Sequence, residues 1–204
     1  MRRLALLGLT AVFLIATTSA CTRMPASPEP DFDVRSDLDA QNIPRGASVL
    51  YVSGVTREGF RHISSLRRIR SIEVLDLSLD DYSLAELSKM PALEYLECHD
   101  ASALTVRGVE YFANGFVGLR SLSISKCSVI SYATLIRIAQ CGSLGELTLD
   151  GCDEVTRDGI LAYARYSRCA RCIVHDCKKV RPKISFEEVV VTRTDGTRVV
   201  VEIR

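Results

Sequence analysis

The stretch CGSLGELTLDGCDEVTRDGI, residues 141–160, decides how the rest of the chain is read. Its apolar positions are Cys141, Leu144, Leu147, Leu149, Cys152 and Val155, a spacing of 3-3-2-3-3. The two-residue step from Leu147 to Leu149 is the period of a strand, in which alternate side chains share one face. Thr156 then precedes Arg157-Asp158-Gly159-Ile160, where its hydroxyl suits a helix N-cap. The segment therefore predicts a short strand, an inward turn and a helix.

The same frame recurs on both sides. Phe116, Leu119, Leu122, Ile124, Cys127 and Ile130 precede it, and Tyr166, Cys169, Cys172, Val174, Cys177 and Val180 follow. Earlier rows read Met90, Leu93, Leu96, Cys98, Ala101, Leu104 and Ile69, Ile72, Leu75, Leu77, Asp80, Ser83. Successive rows lie 21, 26, 25 and 25 residues apart. A fixed period of this length marks stacked strand–helix turns. Ala113, Ala139 and Ala164 share a helix column, which predicts close helix–strand approach. A further, degenerate turn is expected from residue 50, because Val55-Thr56-Arg57-Glu58-Gly59-Phe60 echoes Val155-Thr156-Arg157-Asp158-Gly159-Ile160.

This pattern resembles the leucine-rich repeat family, in the cysteine-containing subtype of F-box proteins, C-x-x-L-x-x-L-x-L-x-x-C-x-x-[IV]-T-[DE]-x-G-[LI]. Cys141–Ile160 follows it nearly throughout, with Arg157 where an acidic residue is usual. The resemblance covers residues 69–180 well and 48–68 faintly. It implies an α/β solenoid with parallel strands on the concave face and helices on the convex face. The ubiquitin-ligase role of F-box proteins does not carry over, because a leader and a polar segment stand where an F-box would. One turn alone buries too little apolar surface to offset its ordering entropy, so stability comes from stacking and the end turns need covers. Two β-branched runs around Asp195-Gly196 predict a C-terminal β-hairpin cap over Val180.

The N-terminus points to export. Arg2 and Arg3 precede an uncharged run from Leu4 to Ala16, too short to span a bilayer and suited to a signal-peptide core. Thr18-Ser19-Ala20-Cys21 resembles a bacterial lipobox, which implies cleavage before Cys21 and acylation of that cysteine, palmitate among the acyl groups. A plain signal peptide cut after Ala20 is the alternative. The next stretch holds four prolines and five acidic residues with few apolar ones, and reads as a flexible tether. The expected organisation is a signal peptide at 1–20, a lipidated cysteine and tether at 21–45, the repeat domain at 46–182 and the cap at 183–204. The expected location is the cell envelope, lipid-anchored, at the outer membrane or facing the periplasm in a Gram-negative cell.

Formal net charge is +1, and removing residues 1–20 leaves 24 basic against 25 acidic residues. Nothing here favours nucleic acid. Of eight cysteines, Cys127, Cys152 and Cys177 share the column where most leucine-rich repeats place asparagine, and Cys98, Cys141, Cys169 and Cys172 take core columns. All seven are expected to point inward, as free thiols or, alternatively, with a disulfide between neighbouring ladder positions, whose Cα atoms adjacent strands bring to about 5 Å. Cys169, Cys172, His175 and Cys177 have zinc-like spacing, but strand alternation puts Cys172 and His175 on opposite faces. No metal or other cofactor is expected, and neither a catalytic triad nor a phosphate loop is present, so the chain reads as a non-enzyme.

The register yields a surface. Strand residues between core columns line the concave sheet: Val74, Tyr95, Ser121, Glu146, Arg171; then Asp76, Glu97, Ser123, Thr148, Ile173; then Ser78, His99, Ser125, Asp150, His175. The candidate protein-binding residues are Asp76, Tyr95, Glu97, His99, Asp150, Arg171 and His175, with an acidic, aromatic end and a basic end at Arg171. Charge reversal at Arg107 and Arg157 on the convex helices is expected to have little effect on partner capture. The function read from these features is an envelope-anchored module that binds a protein partner. A structural lipoprotein of an envelope complex, or a thiol-redox protein, are the alternatives.

Overall fold

A computed structural model describes residues 30–180 and 186–204. The leader, Cys21 and the junction at 181–185 lie outside the described residues. Six strand–helix units lead up to β7 among the described residues, beginning with β1 (Phe32–Val34), α1 (Asp37–Gln41), β2 (Val49–Val52), α2 (Arg57–Ser64), β3 (Ser71–Val74), α3 (Asp81–Leu87) and β4 (Tyr95–Cys98). Then come α4 (Val106–Asn114), β5 (Ser121–Ser125), α5 (Tyr132–Ile138), β6 (Glu146–Asp150), α6 (Arg157–Tyr166), β7 (Arg171–His175), β8 (Glu187–Thr192) and β9 (Arg198–Ile203). The protein is α/β, with one nine-stranded sheet ordered β1-β2-β3-β4-β5-β6-β7-β9-β8. All neighbours are parallel except β8 and β9.

Sheet order follows chain order up to β7, so each helix crosses to the very next strand. Right-handed crossovers then place every helix on the same face of the sheet, and consecutive helices touch. Alternate strand residues record this. Leu122 and Ile124, Leu147 and Leu149, Cys172 and Val174 are buried under the helices, whereas Ser121, Ser123 and Ser125 are partly exposed.

Composition suggested a tether as far as residue 45, but Phe32–Val34 pairs with Leu50–Val52 and Ser36 caps α1 by accepting from the Asp39 amide. Val34 and Ala40 are fully buried, so this segment adds a first strand–helix unit that four prolines and many carboxylates concealed.

The inward turns after β2, β5, β6 and β7 have one cause. Gly54, Lys126, Gly151 and Asp176 all adopt positive φ, between 46° and 62°, at equivalent positions. That left-handed residue swings the next side chain into the core: Val55, Cys127, Cys152 and Cys177 are buried. A non-glycine residue there costs about 1–2 kcal/mol, which Lys126 and Asp176 incur in a turn fixed by ladder hydrogen bonds. The Lys126 amide donates to Asp150 O at 2.8 Å, and the Gly151 amide to His175 O at 3.0 Å.

The Thr-x-x-Gly motif has a packing reason. Thr56 and Thr105 cap α2 and α4, and each donates its own amide and hydroxyl to the first residue of the preceding helix, Asp37 and Asp81 respectively. A Cβ on Gly59 would stand 2.3 Å from Val55 Cγ1 and 2.4 Å from the Asp37 carboxylate, and one on Gly108 2.2 Å from that of Asp81. Glycine is required there because the carboxylate occupies the space. The helix column of alanines is tight at Ala139 and Ala164, while Ala113 is only half-buried.

Two readings of the core need correction. In the first row, Ile72 pairs with Leu96 and Val74 with Cys98, so the true frame is Ile69, Ile72, Val74, Leu79, three residues earlier than Ile72, Leu75, Leu77 implies. Leu75 and Leu77 are 44% and 59% exposed. In the last row Tyr166 is exposed, because α6 runs a turn longer and Tyr163 fills the core instead. Beyond Val180, β9 lies parallel to β7, β8 folds back on it around Asp195-Gly196, and both touch α6. Arg193 donates to the carbonyls of Ala164 and Cys169, meeting acceptors that the end of α6 leaves unpaired.

Candidate functional site

The face opposite the helices carries three columns set by strand register. Ser71, Tyr95, Ser121, Glu146 and Arg171 form the first. Tyr51, Glu73, Glu97, Ser123, Thr148, Ile173 and Glu202 form the second. In the third, Ser125, Asp150 and His175 are in register. His99 and Leu75 extend it, since their amides make matching bonds to Val74 O and Val52 O.

This corrects the expected columns at β3. Val74 is fully buried rather than concave, and Ser78 lies in the loop beyond the strand. Asp76 does not stand beside Glu97. Its carboxylate accepts from the Gly54 amide at 2.5 Å and the Ser78 amide at 3.0 Å, and holds the loop. Burial works against its charge, but those hydrogen bonds outweigh it and keep the Asp76 carboxyl below the usual range. The place expected for Asp76 belongs to Glu73.

Tyr95 projects from the start of β4, 43% exposed. Around β2–β4 the face is acidic and aromatic. His99 Nε2 lies 2.7 Å from Glu73 Oε1 and 3.7 Å from Glu97 Oε1. Tyr51 stands in register with Glu73, and desolvation together with that carboxylate pushes its phenol up. Beyond the ends of these strands runs an open groove of about 700 Å³, with Leu75, Asp76, Leu77, His99, Lys126 and Asp150 in its walls. Asp76, His99 and Asp150 thus meet in one place, with Glu97 two residues before His99 on the sheet and Tyr95 at the other end of β4.

The far end is different. Arg171 does not present a bare positive charge, since its Nε sits 2.7 Å from Glu202 Oε1, and Arg204 holds the other carboxylate oxygen at 2.6 Å. Glu146, between Ser121 and Arg171, keeps Oε1 buried without a hydrogen-bond partner in the protein. Its burial raises the carboxyl above the usual range, with Arg171 opposing. His175 ends β7 opposite Asp150, away from the acidic cluster.

The seven described cysteines are all buried free thiols. Cys152 Sγ donates to Ile124 O at 3.6 Å and Asp150 O at 3.5 Å, and Cys177 Sγ reaches Leu149 O at 4.0 Å. Cys152 and Cys177 thereby each meet a carbonyl of the preceding strand. Burial pushes the Cys98 and Cys172 thiols up, away from the reactive thiolate.

Tyr51 and Glu73 were missed from sequence, both because of the register at β3. The discordant signal was the 21-residue interval between the first two rows, against 25 or 26 elsewhere. No protein-family model matches the chain, and no curated protein matches it in a sequence comparison.

Proposed function

We propose that the chain is a leucine-rich repeat lipoprotein, held at the cell envelope by acyl groups on Cys21, which binds a protein partner on the open face of its sheet. The observation behind this reading is that face itself. The described helices lie on the other side, and the columns of the opposite face bring exposed Tyr95 and Leu75 near the carboxylates of Glu73 and Glu97, with exposed Leu77 in the loop beyond. Aromatic and apolar anchors next to charge are what a protein interface uses. The same carboxylates repel a phosphate backbone, so nucleic acid is a poor fit. In this reading the β8–β9 pair acts as a hairpin cap: Val199, Val201 and Ile203 are buried at the end of the sheet, where an apolar face would otherwise be open. No helix among the described residues is long and apolar enough to cross a membrane; attachment is assigned to Cys21 on its lipobox-like context.

The structural-lipoprotein alternative draws on the bland middle of the face, where Ser121, Ser123 and Ser125 lie together. The thiol-redox alternative has against it the burial of the described thiols, which at Cys98 and Cys172 disfavours the thiolate. The test is recovery of the partner from detergent-solubilised membranes. Tyr95→Ala with Ser121→Lys removes the anchor and adds a charge on the face, and should lose the partner. Tyr166→Ser on the helix side should keep it, and Cys21→Ser should release the protein from the membrane. Retention of the partner by the Tyr95 pair argues for the structural alternative.

A further inference from the structure

Where β2, β3 and β4 lie side by side, Tyr51, Glu73 and Glu97 stand in one line across the strands, and His99 leans in from the end of β4. One potential ligand atom each from Glu73, Glu97 and His99 lies within 4.8 Å of the other two. Two carboxylates directly opposite on neighbouring strands repel one another, so a positive centre between them is favoured. An imidazole joined to two carboxylates is a mixed nitrogen and oxygen donor set. Zinc and its borderline neighbours take such sets, whereas calcium and magnesium prefer oxygen alone.

The surroundings fit the same chemistry. Glu73 is the most enclosed of the three, its side chain 14% exposed against 37% for Glu97 and 44% for His99. Tyr51 stands directly beside Glu73 in the strand register and borders the site on the β2 side. All three backbones belong to paired strands or their first loop residue, so the donors start from a rigid frame. The thiols are on the buried side of the sheet and take no part.

We propose that Glu73, Glu97 and His99 form a binding site for one divalent transition-metal ion of the zinc class, with a fourth coordination position open on the uncovered face of the sheet. The site goes beyond the protein-binding reading and does not depend on it.

Calorimetric titration of the full chain in detergent with Zn²⁺, and of the same protein with Co²⁺ followed by visible absorption, tests this. The expected result is one equivalent bound, with Co²⁺ bands of a nitrogen–oxygen site and no thiolate charge-transfer band. Glu73→Gln and His99→Gln each weaken binding at least about 100-fold, with thermal melts confirming that each variant is folded. Absence of saturable Zn²⁺ binding, a thiolate band with Co²⁺, or unchanged affinity in both ligand variants overturns the proposal. The wild-type stoichiometry and spectrum decide it even if a variant fails to fold. Partner recovery is scored without added metal, so the two readings fail separately.

Discussion

Arg157, the first residue of α6, grips the Glu187 carboxylate at the start of β8 with both terminal nitrogens: Nη1 lies 2.9 Å from Oε2, and Nη2 bonds Oε1. The two side chains are only 33% and 17% exposed. This forked pair joins the helix layer to the final antiparallel strands, so Arg157 has a structural role apart from any part in partner capture.

Arg157→Glu should therefore destabilise the protein by about 2 kcal/mol, since it removes two charge-assisted hydrogen bonds and sets two carboxylates together. Adding Glu187→Arg should recover part of the loss. Urea melts of the single and double variants check this, and a single variant as stable as wild type would sink the role given to the pair.

The register at β3 makes opposite demands on two neighbouring residues. Ile72 is fully enclosed opposite Leu96, whereas Leu77 is 59% exposed. Ile72→Ala should cost about 2–5 kcal/mol, and Leu77→Ser should change stability by less than about 0.5 kcal/mol. The reverse order in thermal melts would restore the frame three residues later.

That frame shows what the sequence could and could not disclose. Rows from Met90 onward were legible because each carries the same spacing and the strands they form pair in that register. The β3 row was ambiguous because Ser-Ile-Glu-Val-Leu-Asp-Leu contains two overlapping alternations, Ile72/Val74 and Leu75/Leu77, of similar hydrophobicity. What separates them is the shorter loop to α3, where only Leu79 returns to the core before Asp80 caps the helix. The site shared that error. His99 and Glu97 were correctly placed on one face, but their neighbour across the sheet is Glu73 rather than Asp76. The unit at residues 32–41 was hidden for a different reason: its strand is three residues long and its helix five, too brief for any period to register.

Cys152 sits in the middle of the ladder, wholly buried, its thiol pushed up by its hydrogen bond with Cys177 and by burial. Cys152→Ala should cost about 1–2 kcal/mol. Cys152→Asp should cost at least about 4 kcal/mol, because a carboxylate there would be buried without a cation. A Cys152→Asp protein that melts within a degree of wild type would refute the inward orientation of the column.

Two carboxyls at the far end of the face should titrate with opposite signs. Burial penalises the Glu202 charge, but Arg171 and Arg204 outweigh it and hold its carboxyl below the ordinary value of 4.5. Its contribution is therefore present above about pH 4.5 and lost as pH falls through the lower folded value. Glu146 is raised by burial, so its charge destabilises the fold above its raised folded value, and that cost disappears below the ordinary 4.5. Glu202→Gln should lower stability at pH 7 by about 2 kcal/mol and flatten the acid limb. Glu146→Gln should raise stability at pH 7 and have no effect at pH 3. Denaturant melts between pH 3 and 8 distinguish the two, and a destabilising Glu146→Gln at neutral pH would contradict the burial account.

The claim that matters most is that the uncovered sheet face is the interaction surface. Placing a photoreactive side chain at position 95, and separately at position 166, in cells that make the protein tests it most directly. Tyr95 is on the open face and Tyr166 at the end of α6 on the helix side, and both are exposed. Irradiation should give a discrete cross-linked adduct from position 95 and none from position 166. An adduct from 166 alone, or from neither position, would contradict the account.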